Sequence, residues 1–491
     1  SIRAASSPSA SRPPNREGQV GTIHPPLTRR SRYRRPAARS SLPAPRTVDG
    51  ASGWRRSSRS DSAAWIVWRS VDTAAVCPVA PAPVYPAPLG HDGSMNDLDN
   101  PRGIATEIID DVVALRRDIH RHPELGLDNP VTRDRVLAAL DGLPLDVRLG
   151  VACTSVVADL AGTTDGPTVL LRADTDALPM TESTDLDFRS TVDGRAHACG
   201  HDAHTAMLVG AAKVLAARRG EIAGRVRFMF QPGEEGFAGA RLMIDEGALD
   251  GVDRAFALHI SPNQRVGTAS SRPGPLLAGD TSITVTVRGR GGHASAPHHA
   301  TDPIPATAAI ITALQTAVTR GVDVFDPAVL TIAHVVAGTT TNVIPETAFF
   351  EGTIRCISEH TRARIREAVT RTVQGVAEAH GCTADLELVD GYPVTYNDET
   401  EAARFAEVCR TTLGEKGHRV LPAPAMGGED FSYVTQQVPG VMAFLGVCPA
   451  TEPDPRSAPP LHSNRMVLDE DGLAHGVALH VAMAIHRFAD E

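Results

Sequence analysis

The chain has 491 residues, of which 42% are hydrophobic and 22% are charged, and its formal net charge is −10. This length suggests two or three domains with well-buried cores, which excludes a small disulfide-stapled fold. No apolar run approaches the roughly 20 residues that cross a bilayer, and the seven scattered cysteines favour a reducing compartment over a disulfide framework. We therefore predict a cytoplasmic protein that does not enter a membrane.

The charge is unevenly distributed along the chain. Residues 1–94 hold 14 Arg, no Lys and five acidic residues, a net charge of +9, so residues 95–491 carry −19. The first 94 residues also hold 13 of the 37 prolines, a composition that does not support a packed core. A basic tail can bind nucleic acid or anionic lipid, but the acidic remainder gives no support to nucleic-acid binding. We predict that residues 1–94 are a disordered or non-native extension, and we expect no nucleic-acid partner.

Strand and helix patterns alternate in the next part of the chain, residues 95–277. The predicted order is a helix from Asn100 to His122, strands at 154–160 and 168–172, a helix at 204–218, a strand at 225–231, a helix at 238–246 and a strand at 254–260. Such alternation is typical of a mixed or mostly parallel sheet with helices on both faces. Functional sites in such α/β folds collect at the carboxyl ends of the strands.

The pattern changes over residues 278–388. Strands at 282–288, 329–336, 348–354 and 383–389 and helices at 303–319 and 361–379 predict a β-α-β-β-α-β unit, the ferredoxin-like arrangement. Residues 389–491 then resume the earlier pattern with helices at 399–413 and 471–488 and a strand at 441–445. We predict one α/β domain formed by 95–277 and 389–491 and interrupted by an inserted domain.

Side chains that can bind metals lie at or just beyond predicted strand ends in five places. They are Asp174 and Asp176; Cys199, His201, Asp202 and His204; Glu234 and Glu235; His259; and His462. Taken alone, each has an ordinary structural explanation, such as a buried apolar cysteine or a helix-capping aspartate. Together, thiolate and imidazole from one tight turn suit a borderline or soft divalent metal, and two adjacent carboxylates on a turn allow one to bind metal while the other faces water.

The order of motifs from about Ile108 to the C-terminus resembles the metal-dependent amidohydrolases that include hippurate hydrolase, auxin-conjugate hydrolases and N-acyl-amino-acid deacetylases, relatives of aminoacylase and carboxypeptidase G. The motifs that carry this resemblance are Arg117 to Gly126, Leu171 to Pro179, Cys199 to His204, Gln231 to Gly236, Gly292 to Pro297, Thr341 to Pro345, Met426 to Phe431 and Leu461 to Ser463. The resemblance implies that the inserted domain serves as a lid and as a dimerisation domain, which would give a homodimer or homotetramer.

The resemblance also implies roles for individual residues around two divalent metal ions per subunit. The implied metal ligands are Cys199, His201, Glu235, His259 and His462. Mn or Zn is the expected metal, with Co or Ni as alternatives. A cysteine stands at position 199 where the wider family more often has an aspartate, so the choice among these metals stays open. Glu234 is the implied general base, which takes a proton from a water shared by the two metals and delivers it to the leaving amine.

Further residues complete the expected site. We interpret Asp176 as orienting a ligand imidazole, and we leave open whether Asp174 and His204 are ligands or structural. The resemblance implies that His293 stabilises the oxyanion, from its own subunit or from a partner, and that Asn342 and Arg355 hold the substrate carboxylate, although Arg355 also fits an ordinary strand arginine. Gly428 would let the backbone approach the substrate. We interpret Glu429 and Asp430 as solvated carboxylates outside the metal shell.

The predicted function is hydrolysis of the amide bond of a small-molecule N-acyl-amino acid. The alternatives are an aminopeptidase or dipeptidase on the same scaffold and, less favoured, a non-catalytic metal-holding module, which would have no use for Glu234 as a base. A zinc nucleobase deaminase would need a Pro-Cys-x-x-Cys element, which the sequence lacks.

Overall fold

The computed structural model describes residues 108–486. The prediction for residues 1–94 and the beginning of the first predicted helix lie outside the described residues. Between residues 108 and 486, the long helices and strands occur in the predicted order, and the two-domain α/β fold class is confirmed. No helix in this range is long and apolar enough to cross a membrane.

The helices of the described chain are these, numbered in order, with short 3-10 turns omitted: α1 (Ile109–Arg121), α2 (Pro130–Leu140), α3 (His201–Ala217), α4 (Gly239–Asp245), α5 (Pro303–Gly321), α6 (Glu359–Ala379), α7 (Glu399–Leu413), α8 (Ser432–Thr435) and α9 (Asp471–Ile485). Side-chain caps define several of the starts. Asp302, Ser358 and Asp398 accept backbone N–H groups at the first turns of α5, α6 and α7, which satisfies donors that a helix leaves unpaired.

The strands, also in chain order, are β1 (Asp146–Leu149), β2 (Val156–Ala161), β3 (Thr164–Asp174), β4 (Ala223–Gln231), β5 (Arg254–Arg265), β6 (Ala269–Ser271), β7 (Gly274–Leu277), β8 (Gly279–Arg288), β9 (Gly292–His293), β10 (Ala328–Ala337), β11 (Val343–Ile344), β12 (Thr347–Cys356), β13 (Thr383–Asp390), β14 (Thr395–Asn397), β15 (His418–Val420) and β16 (Gly440–Cys448). Most of them belong to two sheets, one in each domain.

The large domain contains an eight-stranded mixed sheet in the order β1-β2-β4-β3-β5-β16-β6-β15. Strands β4, β3, β5 and β16 form its parallel centre. One face packs against α1, α2, α3, α7 and α9, and the other packs against α4 and α8. Because both faces are covered, the central strands are buried through continuous apolar runs rather than by alternation.

The register of the central strands brings their carboxyl ends to one edge of the sheet. Asp174 at the end of β3 lies opposite Gln231 at the end of β4. His259 lies on the neighbouring strand β5, opposite Phe444 of β16. The chain segments that follow β3 and β4, and the start of α3, therefore meet near His259.

The inserted domain contains a four-stranded antiparallel sheet in the order β10-β12-β8-β13. Helices α5 and α6 pack on one face of this sheet around a core that includes Ile283, Ile310 and Phe350. This is the ferredoxin-like arrangement that the sequence predicts. Two chain segments join it to the large domain, one entering at the start of β8 and the other leaving after β13, and they lie side by side because Asp390 pairs with Thr281.

Candidate active site

The start of helix α3 presents a thiol and an imidazole side by side. Gly200 has a φ of +91°, and a Cβ at this position would lie 2.5 Å from Cγ1 of Ile260, so the turn between Cys199 and His201 requires glycine. Helix α3 begins at His201, three residues before the predicted start. Both Cys199 and His201 are buried. They lie beneath the surface, near the carboxyl ends of the central strands.

His259 faces the same thiol from strand β5. Its Nδ1 lies 2.7 Å from the carbonyl oxygen of Ile260 and its Nε2 lies 3.4 Å from Sγ of Cys199. A donated Nδ1–H leaves Nε2 with a free lone pair, which is the form that binds a metal. Burial and the neighbouring His204 lower the pKa of His259 well below its ordinary value, which also favours the neutral ring.

Glu234 and Glu235 lie on the turn between β4 and α4, and Asp176 holds that turn. The two carboxylate oxygens of Asp176 accept the backbone N–H groups of Glu234 and Glu235, each at 3.0 Å. Asp176 Oδ1 also lies 3.5 Å from Nδ1 of His201. Asp176 therefore lies between the imidazole and the two glutamates, where the sequence analysis expects a residue that orients the imidazole.

His462 completes the cluster from the loop before α9. Its φ is +65°, which is uncommon for a residue other than glycine, and its Nε2 lies 3.1 Å from Oε1 of Glu235. Hydrogen bonds with Cys199 and Glu235 raise the pKa of His462 to about 10. The ligand atoms of Cys199, Glu235 and His462 lie within 4.8 Å of one another.

All five predicted ligands meet in overlapping groups. Ligand atoms within 4.8 Å of one another define three groups: Cys199, His201 and His259; Cys199, Glu235 and His462; and His201, Glu234 and Glu235. Both ring nitrogens of the fully buried His201 lack a hydrogen-bond partner, which is costly unless another ligand satisfies them. The thiolate, imidazole and carboxylate donors suit zinc and similar divalent ions, so these residues fit a metal centre.

Asp174 and His204, whose role the sequence leaves open, form a hydrogen-bonded pair. His204 Nδ1 lies 2.6 Å from Asp174 Oδ1, and His204 Nε2 accepts the N–H of Ile260 at 2.8 Å. Both nitrogens of His204 are thus engaged, so it supports the rings of His201 and His259, whose centroids lie 5.4 and 4.5 Å from its own. We assign His204 to the structural alternative.

The interpretation of Glu429 and Asp430 as solvated carboxylates is wrong. Both are buried, and Nη2 of Arg172 donates to each of them at 2.9 Å. Arg172 also donates to Gln231 at 2.8 Å and to Asp174 at 2.7 Å. No local sequence pattern predicts this network, and its one signal in the sequence is an arginine inside the apolar run of β3.

The carboxyl group of Glu234 lies at the junction of this network and the metal-ligating cluster. Its ligand oxygen falls within 4.8 Å of those of Glu429 and Asp430. Burial, and then the negative charges of Glu429 and Asp430, raise the pKa of Glu234 well above its ordinary value. Glu234 thus has a stronger affinity for a proton than a solvated glutamate, as a residue that accepts a proton from water requires.

The residues predicted in the inserted domain fall into two places. Arg355 is 31% exposed, its Nη1 lies 3.8 Å from Oδ1 of Asp280, and a Cβ on Gly428 would lie 3.2 Å from the same Nη1. Arg355 and Gly428 are therefore neighbours, close to Glu429. His293 and Asn342 lie together and exposed on the β9–β11 ribbon, where the carbonyl of Asn342 accepts the N–H of Ala294.

No hydrogen bond or ion pair links His293 or Asn342 to the metal-ligating cluster within residues 108–486. The structure thus brings together the five predicted ligands, Glu234 and Asp176, and it places Arg355 beside Gly428. His293 and Asn342 stand apart from them.

The fold and the cluster together define a two-domain hydrolase with a metal-binding site at the edge of its large sheet. Residues 170–486 match the model of peptidase family M20/M25/M40. The chain is 38% identical over 385 residues, 77% of this chain and 85% of the relative, to the IAA-amino acid hydrolase ILR1-like 2 of Arabidopsis thaliana. It is 37% identical to the N-acetylcysteine deacetylase of Bacillus subtilis, covering 74% of this chain and 93% of that relative.

A solved structure gives the same result. The Bacillus subtilis YXEP protein, described as a dinuclear metal-binding peptidase from the M20 family, aligns with a TM-score of 0.67 at 33% identity, covering 77% of this chain and 98% of that one. The chain belongs to peptidase family M20/M25/M40 and is a hydrolase of amide bonds. The resemblance drawn from the sequence motifs is thereby confirmed.

Proposed function

We propose that this protein is a two-metal amidohydrolase that cleaves the amide bond of N-acyl-amino acids, releasing a carboxylic acid and a free amino acid. The observation that carries the proposal is the convergence of one thiol, three imidazoles and Glu235 beside the buried Glu234. The relatives support the substrate class, since they include a hydrolase of IAA-amino acids and a deacetylase of N-acetylcysteine, and the YXEP structure supports two metals.

The metal ligands would be Cys199, His201, Glu235, His259 and His462. When bound there, divalent cations lower the pKa of water toward neutrality and polarise a carbonyl oxygen. The hydrogen bond from His259 to the Ile260 carbonyl and the contact of Asp176 with His201 hold two imidazoles in the orientation that ligation needs.

Glu234 would act as the general base. Its raised pKa lets the carboxylate take a proton from the attacking water and pass it to the nitrogen of the leaving amine. The burial of Glu234 keeps bulk water from competing for that proton. Asp176 fixes the position of the carboxylate by holding the backbone N–H groups of Glu234 and Glu235.

Arg355 would bind the free carboxylate of the amino acid portion. Its guanidinium is partly exposed beside Gly428, and its neighbour Asp280 is 3.8 Å away rather than in a close pair. An incoming carboxylate can therefore form the two-pronged contact that a guanidinium favours. Asn342, beside the exposed β9–β11 ribbon of the inserted domain, would help to hold the same carboxylate.

A pair of adjacent variants tests the assignment of the base. Glu234→Gln is expected to keep its bound metal and to lose amide hydrolysis by at least about 10²-fold, whereas Glu235→Gln is expected to lose metal. Metal content by emission spectroscopy and turnover of hippurate separate the two. Near-normal turnover by the Glu234→Gln enzyme would refute the proposal.

A substrate panel separates the amidohydrolase from the peptidase alternative. Hippurate, N-acetyl amino acids, indole-acetyl conjugates and dipeptides would be assayed with Mn, Zn, Co and Ni in turn. We expect N-acyl-amino acids to be cleaved in preference to dipeptides. Preferential cleavage of dipeptides would favour an aminopeptidase or dipeptidase.

We further propose a homodimer formed through the inserted domain in a cytoplasmic enzyme. Strand β10 is an edge strand of the sheet, and Val329, Val335 and Val336 on it are about half exposed, which is typical of an edge that pairs with another chain. A partner could then bring its exposed His293 to this site to stabilise the oxyanion. Light scattering of wild type and of Val335→Lys tests this, since the variant should be monomeric and much less active.

A further inference from the structure

Tyr392 lies on the segment that returns from the inserted domain to the large domain. The carbonyl of Tyr392 accepts the N–H of Asp280 at 3.0 Å, and Oδ1 of Asp280 accepts the N–H of Tyr392 at 2.9 Å. Asp280 is on the segment that enters the inserted domain, one residue after β8 begins. Tyr392 and Asp280 therefore tie together the only two segments that connect the domains within residues 108–486.

The side chain of Tyr392 extends from this junction to the turn that carries Glu234 and Glu235. Its hydroxyl donates to the carbonyl oxygen of Glu234. The hydroxyl oxygen of Tyr392 in turn accepts the N–H of Gly236 at 2.8 Å and that of Ala238 at 3.4 Å. One hydroxyl thus contacts three backbone groups within five residues of the turn.

The turn depends on such contacts because its backbone is not regular. Gly233, Gly236 and Ala238 all have positive φ values, and that of Ala238, +54°, is one that residues with a Cβ rarely adopt. Asp176 holds the N–H groups of Glu234 and Glu235 from one side. The hydroxyl of Tyr392 binds the backbone of the second half of the turn, at Gly236 and Ala238.

We propose that Tyr392 is a positioning residue that couples the orientation of the inserted domain to the turn carrying Glu234 and Glu235. A rotation of the inserted domain about the two connecting segments moves the Tyr392 backbone, and the hydroxyl moves with it. The turn then holds Glu234 in its working position only in the domain orientation that keeps the three contacts. The catalytic part of this inference rests on the function proposed above, but the mechanical part does not.

Asp280, which pairs with the Tyr392 backbone, also lies near Arg355, the residue proposed to bind the substrate carboxylate. It is the residue that lies 3.8 Å from Arg355, and a Cβ on Gly428 would touch Asp280, Arg355 and Tyr392 at 3.2 to 3.4 Å. The group proposed to bind the substrate carboxylate and the group that holds the catalytic turn are thus neighbours of one aspartate. Binding of a carboxylate by Arg355 would act on the junction that sets the position of the turn.

Hydrogen exchange of the backbone amides tests the mechanical part without any substrate. In Tyr392→Phe the N–H groups of Gly236 and Ala238 are expected to exchange at least fivefold faster, with little change elsewhere. Tyr433→Phe is the matched control, because the Tyr433 ring packs against that of Tyr392 while its hydroxyl reaches only the Gly391 carbonyl, at 3.4 Å. Unchanged exchange at both amides in Tyr392→Phe would overturn the proposal.

A second variant tests the coupling itself. Within residues 108–486 no hydrogen bond or ion pair joins Asp280 to the turn. Asp280→Ala is nevertheless expected to speed exchange at Gly236 and Ala238 at least threefold, because it loosens the junction that positions the tyrosine. Asp385→Ala, which removes an exposed ion pair with Arg288 on the same domain, should leave these amides unchanged. An effect of Asp280→Ala confined to the inserted domain would show that the coupling does not exist.

Kinetics test the catalytic part. Tyr392→Phe is expected to lower kcat on hippurate about tenfold or more, with KM within about twofold and the metal content unchanged. A normal kcat with faster amide exchange would overturn the positioning role, and so would a loss of activity explained wholly by loss of metal. If wild type cleaves no member of the substrate panel, the proposed function fails, while the exchange results still decide whether the domain junction controls the turn.

Discussion

Replacement of Arg172 by Met removes the one cation at the centre of the buried carboxyl network. Arg172 is 2% exposed, and its guanidinium donates to Gln231, Asp174, Glu429 and Asp430 at 2.7 to 2.9 Å. Methionine has a similar length and fills the same space without a charge. The variant therefore leaves three buried carboxyl groups without their shared partner.

The magnitude follows from the burial of these groups. Removing one partner of a buried ion pair costs about 3 to 5 kcal/mol, because the remaining charge has lost its solvent and its partner. Protonation of the carboxyl groups relieves part of this cost, at about 1.4 kcal/mol for each pKa unit. We therefore expect Arg172→Met to lower the free energy of unfolding by about 3 to 5 kcal/mol, and by more at pH 8 than at pH 6.

Urea denaturation of the chelated protein at both pH values measures this loss. Arg227→Met is the matched control, since Arg227 is 4% exposed in the same sheet but donates to Asp159 and to the carbonyls of Ala248 and Asp250, away from the metal cluster. It should destabilise the protein without lowering metal content, whereas Arg172→Met should lower both. A loss below about 1 kcal/mol, or equal metal content in the two variants, would refute the reasoning.

Three further predictions concern the thiol of Cys199, the buried Asp430 and Gly239 at the start of α4. Cys199→Ser should bind metal at least about tenfold more weakly, as an equilibrium titration with Zn would show, because a hydroxyl is a poorer ligand than a thiolate. In the chelated protein, stability should fall as the pH rises from about 6 to 8: burial raises the pKa of Asp430 to about 8, so the folded state holds a proton that the unfolded state releases near pH 4. Asp430→Asn should flatten that dependence in urea titrations, and an unchanged slope would contradict it. Gly239→Ala should destabilise the protein in thermal melts, since its Cβ would lie 1.7 Å from the Pro232 carbonyl oxygen, whereas Gly375→Ala, in open space on α6, should stabilise it by about 0.5 to 1 kcal/mol.

The long elements are predictable from sequence because their apolar spacing is strong. Helices α5, α6 and α7 begin within two residues of the predicted positions, since each has a capping side chain and a clear apolar stripe. The short strand β1 was not predicted, and its four residues are all exposed, so no apolar pattern marks it. Helix α2 is not predicted because its buried face includes the polar Thr132 while the apolar Val131 is exposed, so the apolar residues alone show no clear stripe.

The site was predictable where adjacent residues carry the chemistry and not where distant residues meet. Cys199 and His201 share a turn, and Glu234 and Glu235 are consecutive, so local sequence indicated ligands. The burial of Asp430 depends on Arg172, which lies 258 positions earlier in the chain. No local pattern reports such a contact, and an aspartate beside a glutamate in a loop is usually solvated.

The pairing of β5 with β16 has a consequence for synthesis on the ribosome. The inserted domain separates these two parallel partners, and His462 follows the second of them. At about 5 to 20 residues per second, Cys199 leaves the ribosome some tens of seconds before His462. The inserted domain has its sheet and core within 279–390, so it can fold before the large domain is complete. During that interval β5 lacks its partner strand β16, and Cys199 lacks the His462 ligand that would complete its metal site.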